Sequence, residues 1–142
     1  KKKIKSIIVN TKKLKENLVK NKTEIIIDDS IGQLEIWYKN VKTVFLGKSY
    51  PPKGGQNPIE PAKNGCVIIS GKMSNFKEIE EEMLARKSLI ISNNFSGFYN
   101  KIKDSILEKK YTKKIGINAK KFVKSKDFVL DKTINKIRKY LV

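Results

Sequence analysis

The sequence is defined first by what it lacks: it has no histidine, one cysteine and only two arginines in 142 residues. Without histidine, the chain itself holds no His-based triad or general base, and a zinc site is disfavoured. A single cysteine, Cys66, excludes an internal disulfide. No apolar run approaches the ~18 residues that a membrane-spanning helix needs, and the initial Lys-Lys-Lys is not followed by the apolar core of a signal peptide.

What is present is enough for a folded domain. The apolar fraction is 39%, and isoleucine, valine, leucine and phenylalanine are spread along the whole chain. Length and composition together predict one domain over residues 1–142, large enough to bury a core. With its charge concentrated at its ends, we expect the chain to be a monomer.

The net charge of +18 is unevenly distributed. Residues 1–22 carry nine lysines against one glutamate, and residues 101–142 carry fourteen basic against four acidic side chains. Residues 23–100 hold nine of each and sum to zero. The basic ends indicate either that the protein binds an anionic partner or that lysine merely fills helix faces exposed to solvent. The scarcity of arginine argues against base-specific nucleic-acid recognition.

Short apolar runs alternate with amphipathic segments through the middle of the chain. The runs predict strands at 24–28, 43–47, 66–70 and 88–92. The segments predict helices at 30–40, 57–65 and 74–87, with N-caps at Asp29 or Ser30, Asn57, and Ser74 or Asn75. Three more helices follow, at 95–108, 111–124 and 127–141, and residues before 24 predict a helix and a loop with a poorly defined strand.

This order predicts an α/β fold, a Rossmann-like parallel sheet with helices on both faces (core 23–92) and a helical C-terminal segment (93–142). In such sheets, ligands bind beyond the carboxyl ends of the strands. The loops there are 29–32, 47–57 and 71–75, and each leads into a predicted helix N-terminus with free backbone N–H groups. They predict an anion site, most simply for phosphate, although no Walker or dinucleotide motif is present.

The second of these loops and the helix predicted after it together contain all four prolines and a long, specific string, Gly-Gly-Gln-Asn-Pro-Ile-Glu-Pro-Ala (54–62). Together with Asp-Asp-Ser-Ile-Gly-Gln-Leu before it and Ser-Asn-Phe after it, residues 24–80 resemble the donor-binding half of bacterial Kdo transferases. These enzymes attach 3-deoxy-D-manno-octulosonic acid (Kdo) to the lipid A precursor. Three positions depart from the family pattern: Gln33 stands for a glutamate, Lys48 for a glycine, and Lys53 for an arginine or histidine.

The resemblance implies one half of a GT-B glycosyltransferase, the C-terminal domain that binds the donor CMP-Kdo. It places the catalytic base in an N-terminal domain that this chain does not include, so no catalytic residue is expected here. No cofactor and no metal are implied, and no nucleic-acid partner. The acceptor is expected to be the lipid A precursor, at the cytoplasmic face of the bacterial inner membrane, whose anionic surface the basic ends would contact.

The same resemblance implies roles for individual residues. Gly54, Gly55 and Asn57 would offer backbone N–H groups to the donor's phosphate and carboxylate. Glu60 would accept hydrogen bonds from the ribose, or else compensate the helix dipole. Lys48 and Lys53 would neutralise the anions, or else be solvated. The full candidate set is Ser30, Gly32, Gln33, Lys48, Ser49, Lys53, Gly54, Gly55, Gln56, Asn57, Glu60, Ser74 and Asn75.

Two other functions remain open on the sequence. A basic nucleic-acid-binding α/β domain would account for the charge, but it leaves the 54–62 string unexplained. A non-catalytic remnant of a glycosyltransferase would account for the departures at Gln33 and Lys48.

Overall fold

The structure, a computed structural model, describes residues 4–9, 23–51 and 54–140. In these ranges the chain forms five strands and six helices. The strands are β1 (Ser6–Val9), β2 (Ile25–Asp28), β3 (Thr43–Phe45), β4 (Val67–Ser70) and β5 (Ile90–Ile91). The helices are α1 (Leu34–Asn40), α2 (Ile59–Lys63), α3 (Lys77–Ala85), α4 (Phe95–Leu107), α5 (Lys109–Lys124) and α6 (Asp127–Arg138), with a 3₁₀ turn at Ser74–Phe76 before α3.

The chain divides into two compact units, residues 1–37 and 38–142. In the first, β1 and β2 pair in parallel, with Ser6 opposite Ile25 and Val9 opposite Asp28. The isoleucines of β2 are largely exposed. The predicted strand at 24–28 is confirmed. Strand β1 is the strand that was expected before residue 24. Most of the helix and loop predicted before residue 24 falls at residues 10–22, outside the described residues.

The second unit contains a three-stranded parallel sheet in the order β3-β4-β5. Val44 lies opposite Ile68, and Ile69 lies opposite Ile90. The central strand β4 is buried along its whole length. A strand buried on both faces is what a continuous apolar run predicts, because helices cover both sides of the sheet.

The two faces of the sheet carry separate cores. On one face, Ile68 packs with buried residues of α2, α3 and α5, among them Ala62, Met83 and Phe122. On the other, Val67 and Ile69 pack with Phe98 of α4 and Ile115 of α5. The predicted parallel sheet with helices on both faces is therefore confirmed.

The C-terminal segment is helical, as predicted. Asn94 caps α4, its side-chain oxygen accepting from the Gly97 N–H at 2.7 Å. Helix α5 packs closely against the end of α2, since a Cβ at Gly116 would overlap the Gly65 carbonyl oxygen. The residues of α6 whose side chains are described are exposed. No helix in the described ranges has the length and apolar character required to span a bilayer.

Two predicted helix starts are wrong. Helix α1 begins at Leu34, because the Ser30 N–H and hydroxyl both donate to the Asp28 carboxylate, at 3.0 and 2.7 Å, instead of capping a helix. Helix α3 begins at Lys77 without a side-chain cap, since the Asn75 side chain donates to the loop 20 residues earlier in the chain. In both cases a tertiary or turn partner competes with the cap for the polar side chain.

Candidate functional site

The candidate site is built from two loops that leave the sheet at the same edge. We call residues 46–58 the first loop and residues 71–76 the second loop; they follow β3 and β4. Because the two strands run parallel, both loops emerge at the carboxyl edge of the sheet, where α/β proteins bind ligands. Two sets of contacts join them.

The first set centres on Ser49. Its buried hydroxyl donates to the Leu46 carbonyl oxygen at 2.6 Å and accepts from the Gly71 N–H at 2.9 Å. A Cβ at Gly71 would overlap the Ser49 carbonyl oxygen. Glycine is therefore required at 71, and the Ser49 hydroxyl holds the loops together with both of its hydrogen-bonding functions in use.

The second set involves the paired glycines. Gly54 has φ +108°, and the Asn75 side chain donates to the Gly55 carbonyl oxygen at 3.1 Å. A Cβ at Gly55 would lie 2.6 Å from Cγ of Met73. Gly54 thus permits a backbone conformation that other residues rarely adopt, and Gly55 permits the close approach of the two loops.

The second loop is anchored to the helix that follows it. A Glu80 carboxylate oxygen accepts from the Met73 N–H at 2.5 Å, and the Met73 side chain is buried. Sequence reasoning gave no role to Gly71, Met73 or Glu80. A glycine immediately after a buried strand was the available signal for Gly71, but nothing in the sequence pairs Met73 with Glu80.

The first loop ends in the short helix α2. The Asn57 side-chain oxygen accepts from the Ile59 N–H at 2.9 Å, so Asn57 caps this turn as predicted. Pro58 and Pro61 are buried, whereas the side chain of Glu60 is exposed. Gly65, the last residue of the predicted helix 57–65, has φ +78°, the left-handed conformation that commonly ends a helix. The exposed Glu60 carboxylate is accessible to a ligand.

Glu60 also acts on a neighbouring buried phenol. Burial raises the pKa of Tyr38, and the negative charge of Glu60 raises that pKa further. Tyr38 and Cys66 form one buried group, in which the Cys66 thiol points at the Tyr38 carbonyl oxygen at 3.3 Å. Burial likewise raises the pKa of the Cys66 thiol, which makes it a poor nucleophile.

The other predicted site residues are placed as follows. Lys48 is exposed with φ 60°, and Gln56 and Ser74 are also exposed. Lys53 lies outside the described residues. Ser30, Gly32 and Gln33 belong to the unit of residues 1–37. In that unit, Ser30 donates hydrogen bonds to one carboxylate oxygen of Asp28, and the other oxygen accepts from the Trp37 indole N–H at 2.5 Å. Gly32 has φ +80°.

Known proteins resemble this chain in sequence. It is 29% identical over 89 residues to a 3-deoxy-D-manno-octulosonic acid transferase of Haemophilus influenzae, covering 62% of the chain and 21% of that protein. It is 28% identical over 152 residues to the transferase of the same name from Rickettsia conorii, covering 97% of the chain and 32% of that protein. No family model matches the sequence.

A solved structure resembles the fold. The crystal structure of the C-terminal CMP-Kdo binding domain of WaaA from Acinetobacter baumannii aligns with a TM-score of 0.67 and 25% identity. The alignment covers 72% of this chain and 54% of that one. The chain therefore resembles Kdo transferases in sequence over nearly its whole length, and its fold resembles that of the C-terminal CMP-Kdo binding domain of one of them. It spans about a third or less of the length of the curated relatives.

The resemblance bears directly on the first loop. The segment that carried the resemblance, residues 54–62, is the part of the first loop that meets Asn75 and Met73 and then forms α2. Its two glycines and two buried prolines serve internal packing. The exposed polar groups of this segment are Gln56, Asn57 and Glu60.

Proposed function

We propose that this domain binds CMP-Kdo at the edge formed by the two loops, and that the whole protein transfers Kdo to the lipid A precursor. The observation that carries the proposal is the pair of loops itself. The sequence string that resembles the family lies on the carboxyl edge of the sheet, joined to the second loop through Ser49–Gly71 and Gly55–Asn75.

The loop edge suits the chemistry of this donor. CMP-Kdo carries a phosphodiester and a sugar carboxylate, and preorganised backbone N–H groups stabilise such charges without reorganisation. Residues 54–57 are exposed or half-exposed, and Lys48 of the same loop is an exposed cation. In this proposal Glu60, which is exposed in the first turn of α2, accepts hydrogen bonds from the ribose hydroxyls. The contact between loops fixes this arrangement before the donor arrives.

The reaction proposed for the whole protein is inverting transfer on a GT-B scaffold. A base outside this domain deprotonates the acceptor sugar hydroxyl, the hydroxyl oxygen attacks the anomeric carbon of Kdo, and CMP departs with the bonding electrons. This domain holds the donor and stabilises the developing negative charge on the leaving phosphate. The proposal needs no cofactor.

The basic ends suggest where the protein works. Residues 101–142 have a net charge of +10, and α6 displays Lys132, Lys136 and Arg138 in an exposed helix. We place the protein, as a monomer, at the cytoplasmic face of the inner membrane, where each well-placed cation contributes about 1 kcal/mol of attraction to anionic lipid. Co-sedimentation with vesicles that does not rise with added anionic lipid would contradict this placement.

A binding experiment with Glu60→Ala tests the donor site. Loss of hydrogen bonds to a charged group costs about 1.5–3 kcal/mol, so the affinity for CMP should fall about 10- to 100-fold. Isothermal titration calorimetry measures this fall, and Glu81→Ala, which removes an exposed glutamate of α3, is the matched control. An unchanged affinity in a folded Glu60→Ala protein would remove Glu60 from the site. Failure of the unsubstituted domain to bind CMP would refute the proposal itself.

A further inference from the structure

The first loop carries one aromatic side chain, that of Tyr50. It follows Ser49, whose carbonyl oxygen lies so close to Gly71 that a Cβ there would overlap it. Gly71 comes directly after β4, so this contact places Tyr50 at the carboxyl edge of the sheet, where α/β proteins bind ligands. Tyr50 is 40% exposed. A ligand bound at this edge is therefore able to touch it.

The ring of Tyr50 is supported by a buried aromatic side chain of α4. Its centroid lies 5.0 Å from that of Phe98 in an edge-to-face arrangement, and Phe98 makes a second edge-to-face contact, also at 5.0 Å, with Phe45 of β3. Phe98 is only 5% exposed. Edge-to-face pairs at this distance are favourable. The Tyr50 ring is thus oriented before a ligand arrives, and a preoriented side chain loses little freedom on binding.

Tyr50 and the residue proposed for the ribose lie toward different faces of the sheet. Glu60 belongs to α2, which packs with Ile68 on one face. Phe98, which supports Tyr50, packs with Ile69 on the other face. The contact between Ser49 and Gly71 lies between the two faces, at the carboxyl end of β4. An elongated ligand such as a nucleotide sugar is able to reach both sides by crossing this point.

The chemistry of Kdo suits an aromatic partner. Its 3-deoxy position is a methylene group, which leaves an apolar patch on an otherwise polar and negatively charged sugar. An aromatic ring covers such a patch by apolar contact, while the hydroxyl groups around the patch keep their hydrogen bonds. The face of an aromatic ring is electronegative, so the phosphate and the carboxylate of the donor are poor partners for it. Tyr50 is therefore matched to the sugar ring.

We propose that Tyr50 is a specificity-determining residue for the transferred sugar, and that its ring contacts the C3 methylene group of Kdo. This inference rests on the proposed binding of CMP-Kdo and adds a contact that depends on the sugar alone. Binding of CMP without the sugar does not involve Tyr50.

Calorimetry with and without the sugar tests this contact. Tyr50→Leu keeps an apolar side chain against Phe98 but removes the ring. It should weaken the binding of CMP-Kdo to the 142-residue chain about tenfold and change the affinity for CMP by less than about twofold. The matched control is Tyr140→Leu, at an 87% exposed position just after α6, which should change neither affinity.

The outcomes separate this inference from the proposed function. An equal loss of affinity for CMP and CMP-Kdo in Tyr50→Leu would mean that Tyr50 only maintains the loop, and it would overturn the inference while leaving the donor site in place. An unchanged affinity for CMP-Kdo would overturn it as well. If the unsubstituted chain bound neither ligand, the proposed function and this inference would both be refuted.

NMR tests the contact directly and decides the matter if Tyr50→Leu fails to fold. With CMP-Kdo bound to the unsubstituted chain, nuclear Overhauser effects should connect the Tyr50 ring protons with the C3 methylene protons of Kdo. Overhauser effects from the sugar to other residues, with none to Tyr50, would overturn the inference.

Discussion

Ser49→Ala should destabilise the domain by breaking the joint between the two loops. The buried hydroxyl donates to Leu46 and accepts from Gly71, at 2.6 and 2.9 Å. Alanine would leave the Leu46 carbonyl and the Gly71 N–H without this partner, in a place where water does not reach. Each buried polar group left unsatisfied costs about 1–3 kcal/mol, so the two together should cost about 3 kcal/mol.

Urea and thermal unfolding followed by circular dichroism measure this cost. For a unit of this size, a loss of about 3 kcal/mol lowers the unfolding midpoint by about 10–20 °C. The matched control is Ser74→Ala, which removes an exposed hydroxyl from the second loop and should change the free energy of unfolding by less than about 0.5 kcal/mol. A loss below about 1 kcal/mol for Ser49→Ala would refute the reasoning, because the joint would then not hold the loops.

Two further predictions concern the same loops and the buried phenol. Gly71→Ala should destabilise the domain by about 3 kcal/mol, because the new Cβ would overlap the Ser49 carbonyl oxygen. Gly47→Ala should be tolerated, since nothing lies within 4 Å of its new Cβ. Equal unfolding midpoints for the two variants would contradict this prediction. The pKa of Tyr38 is raised above 10.0 in the folded protein, so folding favours the neutral phenol. The contribution of this phenol to the free energy of unfolding is therefore complete below pH 10 and is lost as the pH rises further. In denaturant titrations above pH 10, the free energy of unfolding should therefore fall less steeply with pH in Tyr38→Phe than in the unsubstituted protein. The same dependence on pH in both proteins would exclude Tyr38 as the cause of the fall.

The elements of the fold followed from local patterns. The run Cys66–Ser70 predicted a buried strand, and β4 is buried along its length. Asn57 and Gly65 predicted the two ends of a short helix, and both act there in the structure. These predictions hold because a short apolar run is enough to indicate a buried strand, and a capping residue or a glycine is enough to indicate the end of a helix.

Pairings between distant residues did not follow from the sequence. Asn75 was expected to cap α3, but its side chain binds Gly55. Ser49 was expected at the donor, but its hydroxyl is used by Leu46 and Gly71. A polar side chain can serve a cap, a ligand or a tertiary partner equally well, and only the fold decides which of these lies nearest.

The glycines of the candidate site show the same limit. A Gly-Gly pair predicts a close backbone approach, but it does not say what approaches. At Gly55 the neighbour is Met73, and at Gly54 it is Asn75. The close approach predicted for a ligand is therefore made first by the second loop, and this contact shapes the surface that the donor would meet.

We infer that the two loops form the nucleotide-binding edge of this domain. The most direct measurement is an NMR titration of the labelled domain with CMP. We expect chemical-shift changes concentrated at residues 54–57, at Glu60 and in the second loop, with little change in α6. The absence of shifts in the two loops at millimolar CMP would contradict this inference.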